Sequence, residues 1–199
     1  TADAGPNQTI CNGESTTLNA SGGSFYSWSN GATTALITVN PTTTTTYTVT
    51  VSDINGCSDT DQVTVTVGNA EANAGLDQSI CLGENATLNA TGGTNFQWNT
   101  GATTQTIIVS PNSTTVYSVT VSDANGCSDT DQVMVTVNNV TAEAGPNQTI
   151  CDGASTTLSA SGGTFYSWSN GATTQNITVA PTTTTTYSVT VTDNNGCSD

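Results

Sequence analysis

Six cysteines are the residues best placed to do chemistry in this 199-residue chain, and their spacing sorts them into two classes. Cys11, Cys81 and Cys151 each begin a Cys-x-Gly step, whereas Cys57, Cys127 and Cys197 each close an Asn-Gly-Cys turn. Thiols at such fixed places point to disulfides and an oxidising exterior. A thiolate zinc site is the competing chemistry, but it needs close thiolates in paired CxxC spacing, which this chain lacks.

The acids cluster around the second cysteine class. Asp53-Ile-Asn-Gly-Cys-Ser-Asp59-Thr-Asp61 recurs from Asp123 to Asp131 and begins again at Asp193, so these stretches hold 8 of the 15 acidic residues. Oxygen ligands on alternate positions around a glycine turn suit a hard cation. Asp53, Asn55, Asp59 and Asp61, with Asp123, Asn125, Asp129 and Asp131, are therefore candidate calcium ligands, although no bidentate Glu closes the loop. The alternative is a solvated turn in which Asp53 and Asn55 make Asx turns and Gly56 takes a positive φ. A third chemical feature is hydroxyl-rich. Thr42, Thr43, Thr44, Thr45 and Thr46 follow Pro41, and Thr182, Thr183, Thr184, Thr185 and Thr186 follow Pro181. Proline beside a threonine run is similar to an O-glycan acceptor, and it also reads as a β-branched lead-in to a strand. Asn-x-Ser/Thr sequons include those at Asn7, Asn19, Asn85, Asn89, Asn112, Asn147 and Asn176, as expected in a chain rich in Asn and Thr.

Catalysis has little to work with. The chain has no His, Lys or Arg, so an imidazole base, a Schiff base and any Ser-His or Cys-His pairing are excluded. Paired carboxylates could serve glycoside chemistry, yet here they recur in every unit. An enzyme is not expected. The net charge of −15 repels nucleic acid and anionic membranes. No apolar run is long enough to span a bilayer, so membrane insertion is not expected either. Trypsin-like proteases find no cleavage site, and without lysine no Lys–Asn isopeptide clamp can form.

These groups are carried on one unit used three times. Residues 1–59 match residues 141–199 at 48 of 59 positions without a gap, and Trp28, Trp98 and Trp168 fall in the same register. Repeats of this kind mark an array. We place the repeats at 1–69, 70–139 and 140–199; the third stops at Asp199, before the last strand of the first two. That break suggests a segment of something longer, with its open edge filled by continuing chain or by a neighbour's strand.

Each unit reads as β-structure throughout. Tyr47, Val49 and Val51 alternate with Thr48, Thr50 and Ser52, and Val63, Val65 and Val67 with Thr64 and Thr66. One apolar and one hydroxylated face is the pattern of a half-buried strand. Turn pairs such as Asn12-Gly13, Asn30-Gly31 and Asn55-Gly56 separate the runs. Strands are expected near 8–11 (A), 15–20 (B), 25–29 (C), 33–39 (C′/E), 46–52 (F) and 61–67 (G). The expected fold is all-β: three tandem immunoglobulin-like β-sandwich repeats of about 70 residues, the last without strand G. The expected core runs from Ile10, Leu18 and Ala20 through Tyr26, Trp28, Ile37 and Val39 to Tyr47, Val49, Val51, Val63, Val65 and Val67. Tyr47 is placed as a tyrosine corner, its hydroxyl tied to the backbone.

The runs Tyr26-Ser-Trp-Ser-Asn-Gly-Ala-Thr-Thr34 and Tyr47-Thr-Val-Thr-Val-Ser-Asp-Ile-Asn-Gly-Cys57 resemble the PKD-like and SprB-type repeats of very large surface proteins in Bacteroidetes, including gliding-motility adhesins. The resemblance covers all three units. It implies an exported, cell-surface or extracellular protein sent out by the type IX route. Two functions follow: a structural rod or filament whose partners are further copies of the repeat or chain, or an adhesin module binding glycan or a surface, with calcium as a possible cofactor. Near-identical units and short linkers favour the rod.

Strand order bears on the disulfides. Cys11, in the A–B turn, lies at one end of a sandwich, and Cys57, in the F–G turn, at the other. A bridge within one unit would cross about 20 Å of strand, whereas Cα atoms must come within roughly 7 Å. Bridges across the junctions are thus expected, Cys11 to Cys127 and Cys81 to Cys197, with Cys57 and Cys151 pairing outside the segment. Pairs within units, Cys11–Cys57, Cys81–Cys127 and Cys151–Cys197, would follow instead if strand A were short and displaced.

Overall fold

A computed structural model describes residues 1–199, all of them in strands, turns and loops. In the first repeat the strands are β1 (Gln8–Cys11), β2 (Thr16–Asn19), β3 (Phe25–Trp28), β4 (Leu36–Val39), β5 (Thr45–Ser52) and β6 (Ser58–Gly68). The four-stranded sheet runs β1-β6-β5-β3, and β2 pairs with β4 in a second sheet. All pairs are antiparallel except β1 with β6, which run parallel and bring Cys11 beside Gly68. This is the expected tandem immunoglobulin-like sandwich. The last strand is longer than its hydrophobic alternation indicates, because Ser58–Thr60 extends the ladder opposite Thr50–Ser52. Asp59 therefore joins Asp61 in β6 rather than sitting in the turn before it.

The core forms where the two sheets face each other. Leu18, Trp28, Ile37, Val49, Val51, Val63 and Val65 are all buried in one cluster. Tyr26 and Val67 lie at its edge, half-buried, and Ala4 from the lead-in segment joins it. The indole N–H of Trp28 donates to the Thr34 carbonyl at 3.0 Å, so the ring buries its area without stranding a donor. Trp98 and Trp168 make the same bond to Thr104 and Thr174. The backbone tie expected of Tyr47 falls instead to Tyr26, whose hydroxyl donates to the Gly23 carbonyl at 2.9 Å.

The second repeat reuses the plan with β7 (Gln78–Cys81), β8 (Ala86–Asn89), β9 (Asn95–Trp98), β10 (Thr106–Val109), β11 (Thr115–Ser122) and β12 (Ser128–Asn138). The third has β13 (Thr156–Ser159), β14 (Phe165–Trp168), β15 (Asn176–Val179) and β16 (Val189–Thr192). Residues 148–151 are not a strand; β1 and β7 are strands through their parallel ladders with β6 and β12. By contacts the chain divides into two compact units. One is Thr1–Gly75 with Asn89–Ile107 and Ser118–Gln132; the other is Leu76–Leu88 with Ile108–Tyr117 and Val133–Asp199.

One glycine is fixed by a close approach. Gly92 has φ +102°, and a Cβ there would stand 1.7 Å from the Glu71 carbonyl oxygen. Gly92→Ala is expected to cost at least about 1–3 kcal/mol from backbone strain alone. A thermal melt of the variant checks this, and an unchanged midpoint would contradict it.

Candidate functional site: the disulfide-closed junctions

The sequence places a cysteine in each A–B turn and each F–G turn, and the fold sets the two turn types at opposite ends of a sandwich. In the first compact unit, Cys11 and Cys127 form a disulfide with Cα atoms 5.5 Å apart; in the second, Cys81 and Cys197 do so at 5.3 Å. Both bridges span 116 residues. Each joins the A–B turn of one repeat to the F–G turn of the next. Cys57 and Cys151 are free and exposed.

The A–B turn is braced from both sides. The Glu14 amide donates to the Cys11 carbonyl, and the Cys11 amide donates to Glu14 Oε2, both at 2.9 Å. Glu84 repeats this at Cys81, with both bonds at 3.0 Å. The Asn12 amide then reaches the carbonyl of Gly68, the last residue of β6, at 3.0 Å. The cysteine is thus held against the end of the last strand.

The F–G turn is built around one carboxylate. Asp53 Oδ1 accepts from the amides of Asn55 (2.8 Å) and Cys57 (2.9 Å), and the Asp53 amide donates to the Cys57 carbonyl at 2.9 Å. Gly56 takes φ +85°, which closes the turn. Asp123 and Asp193 form the same Asx-turn framework around Cys127 and Cys197. At the first junction this turn rests on Gly68: a Cβ there would lie 2.5 Å from Asp123 Oδ2 and 2.6 Å from Cys127 Sγ. Partial burial there pushes the Asp123 carboxyl up, but amide donors from Cys127, Asn125 and Asn69 outweigh it and leave the group below its ordinary value. At the second junction Asn138 occupies the place of Gly68, and its Oδ1 accepts from Asn195 Nδ2 at 3.1 Å.

The candidate calcium ligands do not converge. Asp53 and Asp123 spend Oδ1 on their own turns, while the remaining carboxylates in β6 and β12 point to the lead-in segment. Asp59 Oδ2 accepts from the Ala2 amide at 2.8 Å and Asp61 Oδ2 from the Ala4 amide at 2.8 Å. Asp129 and Asp131 hold Ala72 and Ala74 in the same way, at 2.8 and 2.9 Å. No group of three acidic or cysteine side chains gathers as a cation site. Asn55 and Asn125 contribute turn amides rather than ligand oxygens. Sequence reasoning missed this clamp. Its signal is the constant offset of 57 residues between each Ala and its Asp.

The backbone bonds hold Asp59, Asp61 and Asp131 below the ordinary value of 3.8. A carboxylate whose folded value is depressed stabilises fully above its unfolded value, and that stability is lost as pH falls through the lower folded one. Protection of the Ala2, Ala4 and Ala74 amides against hydrogen exchange is therefore expected to hold at neutral pH and to fall as pH drops below the ordinary carboxylate value of 3.8. Asp61→Ala should remove the protection of Ala4 at neutral pH already. Protection that stays constant across that drop would exclude the clamp.

The threonine runs divide by role. Thr45 and Thr46 belong to β5. Thr44 Oγ1 accepts the Val67 amide at 3.1 Å, satisfying a donor near the end of β6. Thr42 and Thr43 are exposed, as are Thr182, Thr183, Thr184, Thr185 and Thr186.

No protein-family model matches the chain, and no curated protein matches it in sequence. Solved structures do. A titin I-band fragment matches at 16% identity and a TM-score of 0.44, covering 84% of this chain and 78% of that one. The first and second immunoglobulin domains of DIP-gamma match at 13% and 0.42, covering 68% and 97%. Immunoglobulin domains 1–5 of Sidekick-1 match at 15% and 0.40, covering 99% and 56%. The fold assignment rests on the strand pairing of this chain itself.

Proposed function

We propose that this chain is part of an extracellular structural repeat protein, a rod or filament in which immunoglobulin-like units follow one another and are stapled at every joint. The carrying observation is the pair of disulfides of identical span, each uniting the A–B turn of one repeat with the F–G turn of the next. A ligand-binding module needs one joint at most; identical staples at successive joints suit load transmission. The oxidising surroundings that disulfides require put the chain outside the cell or on its surface. The motif resemblance to PKD-like and SprB-type surface repeats agrees with that location. The buried tryptophans offer no sugar-stacking face: Trp28, Trp98 and Trp168 are each at most 3% exposed. We assign no catalytic role.

Sandwiches with strands near 3.3 Å per residue give units of about 35–45 Å, so three in line should span on the order of 120 Å. Small-angle scattering of the oxidised chain is expected to give a maximum dimension of that size, and electron microscopy of native material should show long uniform fibres. A compact particle of half that length would refute the rod.

A further inference from the structure

The second repeat departs from its neighbours on one face. Repeats 1 and 3 carry Pro6 and Pro146 where it has Leu76, and Thr46 and Thr186 where it has Val116; Met134 takes the place of Thr64. All three apolar side chains meet water: Leu76 is 89% exposed, Val116 48% and Met134 38%. They also lie together. β12 and β11 are neighbours in the sheet, and their register is that of the first repeat. The Thr120 and Thr130 hydroxyls are 2.9 Å apart, at the positions that pair as Thr50 with Thr60. Val116 therefore stands opposite Met134, as Thr46 stands opposite Thr64. Asp77, next to Leu76, accepts the Met134 amide at 2.7 Å, which brings the lead-in carrying Leu76 to the same spot. The patch falls wholly within the second compact unit.

The fold does not need these residues. Thr46 and Thr64 build the same pair in the first repeat, joined hydroxyl to hydroxyl at 3.0 Å, and threonine suits an outward strand position in water. Clustered apolar side chains turned to solvent mark a contact surface. Charge decides what covers it. Of the acids on β12, Asp129 and Asp131 turn away to the amides of Ala72 and Ala74. The flanking residues Ser79, Ser118 and Thr136 are uncharged. On a chain with a net charge of −15 and no Lys, Arg or His, most surfaces repel a second copy. This face does not, and Leu76, Val116 and Met134 of the copy supply the apolar surface that matches it.

We propose that this patch is a docking surface for a second copy of the chain, the same patch serving on both partners. Such a contact is isologous and closes on two copies. It is separate from the stapled junctions, and in a rod it ties two molecules side by side. A four-stranded face of about 20 Å by 25 Å gives about 500 Å² from each copy, or about 1,000 Å² in total. That is the lower limit for a specific interface, so the association is weak and concentration-dependent. Added salt screens the carboxylates around the rim and tightens the contact.

Sedimentation equilibrium of the oxidised chain, its exposed free thiols alkylated, tests this. A dimer is expected to form as concentration approaches about 1 mM, more readily at about 0.5 M than at about 0.05 M sodium chloride. Leu76→Pro, Val116→Thr and Met134→Thr each install what repeat 1 has at that position, so the combined variant should keep the native melting midpoint. It should dimerise at least about tenfold more weakly, and Met134→Thr alone should act in the same direction. Ile108→Thr is the control. Ile108 is 71% exposed in β10, outside this sheet, and Thr38 stands there in repeat 1. Its replacement should leave dimerisation unchanged. A chain that stays monomeric at every concentration overturns the proposal, even where affinity electrophoresis in a neutral polysaccharide gives the patch a sugar instead. So does a triple variant that dimerises like the parent, or an Ile108→Thr chain weakened as much. Each of these would leave the stapled rod standing.

Discussion

Reducing the two disulfides is expected to lower the stability of the chain more than any other mild treatment. A cross-link closing a loop of about 100 residues removes roughly 4–5 kcal/mol of conformational freedom from the unfolded chain on the chain-entropy account, and both loops here span 116 residues. That exceeds most single-residue effects, because these repeats are small. A unit of some 70 residues at about 0.05–0.15 kcal/mol per residue has only about 4–10 kcal/mol to lose. Urea titrations with and without reductant measure the difference. The midpoint should fall in reductant, and the slope should rise as the unfolded state becomes less compact. Cys11→Ser with Cys127→Ser should lower stability through the first compact unit alone. Equal midpoints in the two titrations would mean that the joints hold without their staples.

Trp98→Ala is the substitution expected to do most damage by itself. Trp98 is 1% exposed and the largest of the fully buried side chains. Truncating a core tryptophan costs about 3–5 kcal/mol through lost burial and the cavity left behind. It would also strand the Thr104 carbonyl, which accepts the indole N–H at 3.0 Å. A repeat near the lower end of its stability range would unfold outright, while its neighbours keep their own tryptophan signals. Far-ultraviolet circular dichroism during urea unfolding should then show an early transition absent from the native chain. A single unchanged transition would show that this core tolerates the cavity.

The strands were legible because their chemistry is local. Tyr47, Val49 and Val51 point one way and Thr48, Thr50 and Ser52 the other, and β5 buries them in that alternation. The turn around Cys57 was equally readable as an alternative, since an Asx turn needs only Asp53, Asn55 and Gly56 in order. What escaped was a set of contacts between distant residues of the same repeat. A row of acids at Asp59 and Asp61 looks like a ligand set when read locally; only the parallel course of the lead-in segment along β6 shows that each carboxylate already has an amide to hold. The length of β6 was hidden for a related reason. Ser58, Asp59 and Thr60 have no hydrophobic alternation, and they become strand by pairing with Ser52, Val51 and Thr50. Tyr47 misled by analogy of position, because the backbone tie is made from strand C of the repeat, by Tyr26 and Tyr166, while the second repeat has Phe96 there.

The two loops closed by sulfur overlap. One runs from residue 11 to residue 127 and the other from 81 to 197, so together they cover nearly the whole chain and share the stretch from 81 to 127. Any single cut of the backbone between Cys11 and Cys197 falls inside at least one closed loop, and the two pieces stay covalently attached. After such a cut the pieces separate only when the staple across it is also broken, and between residues 81 and 127 both staples must go. A protein joined in this way fails by accumulated damage rather than at its first nick.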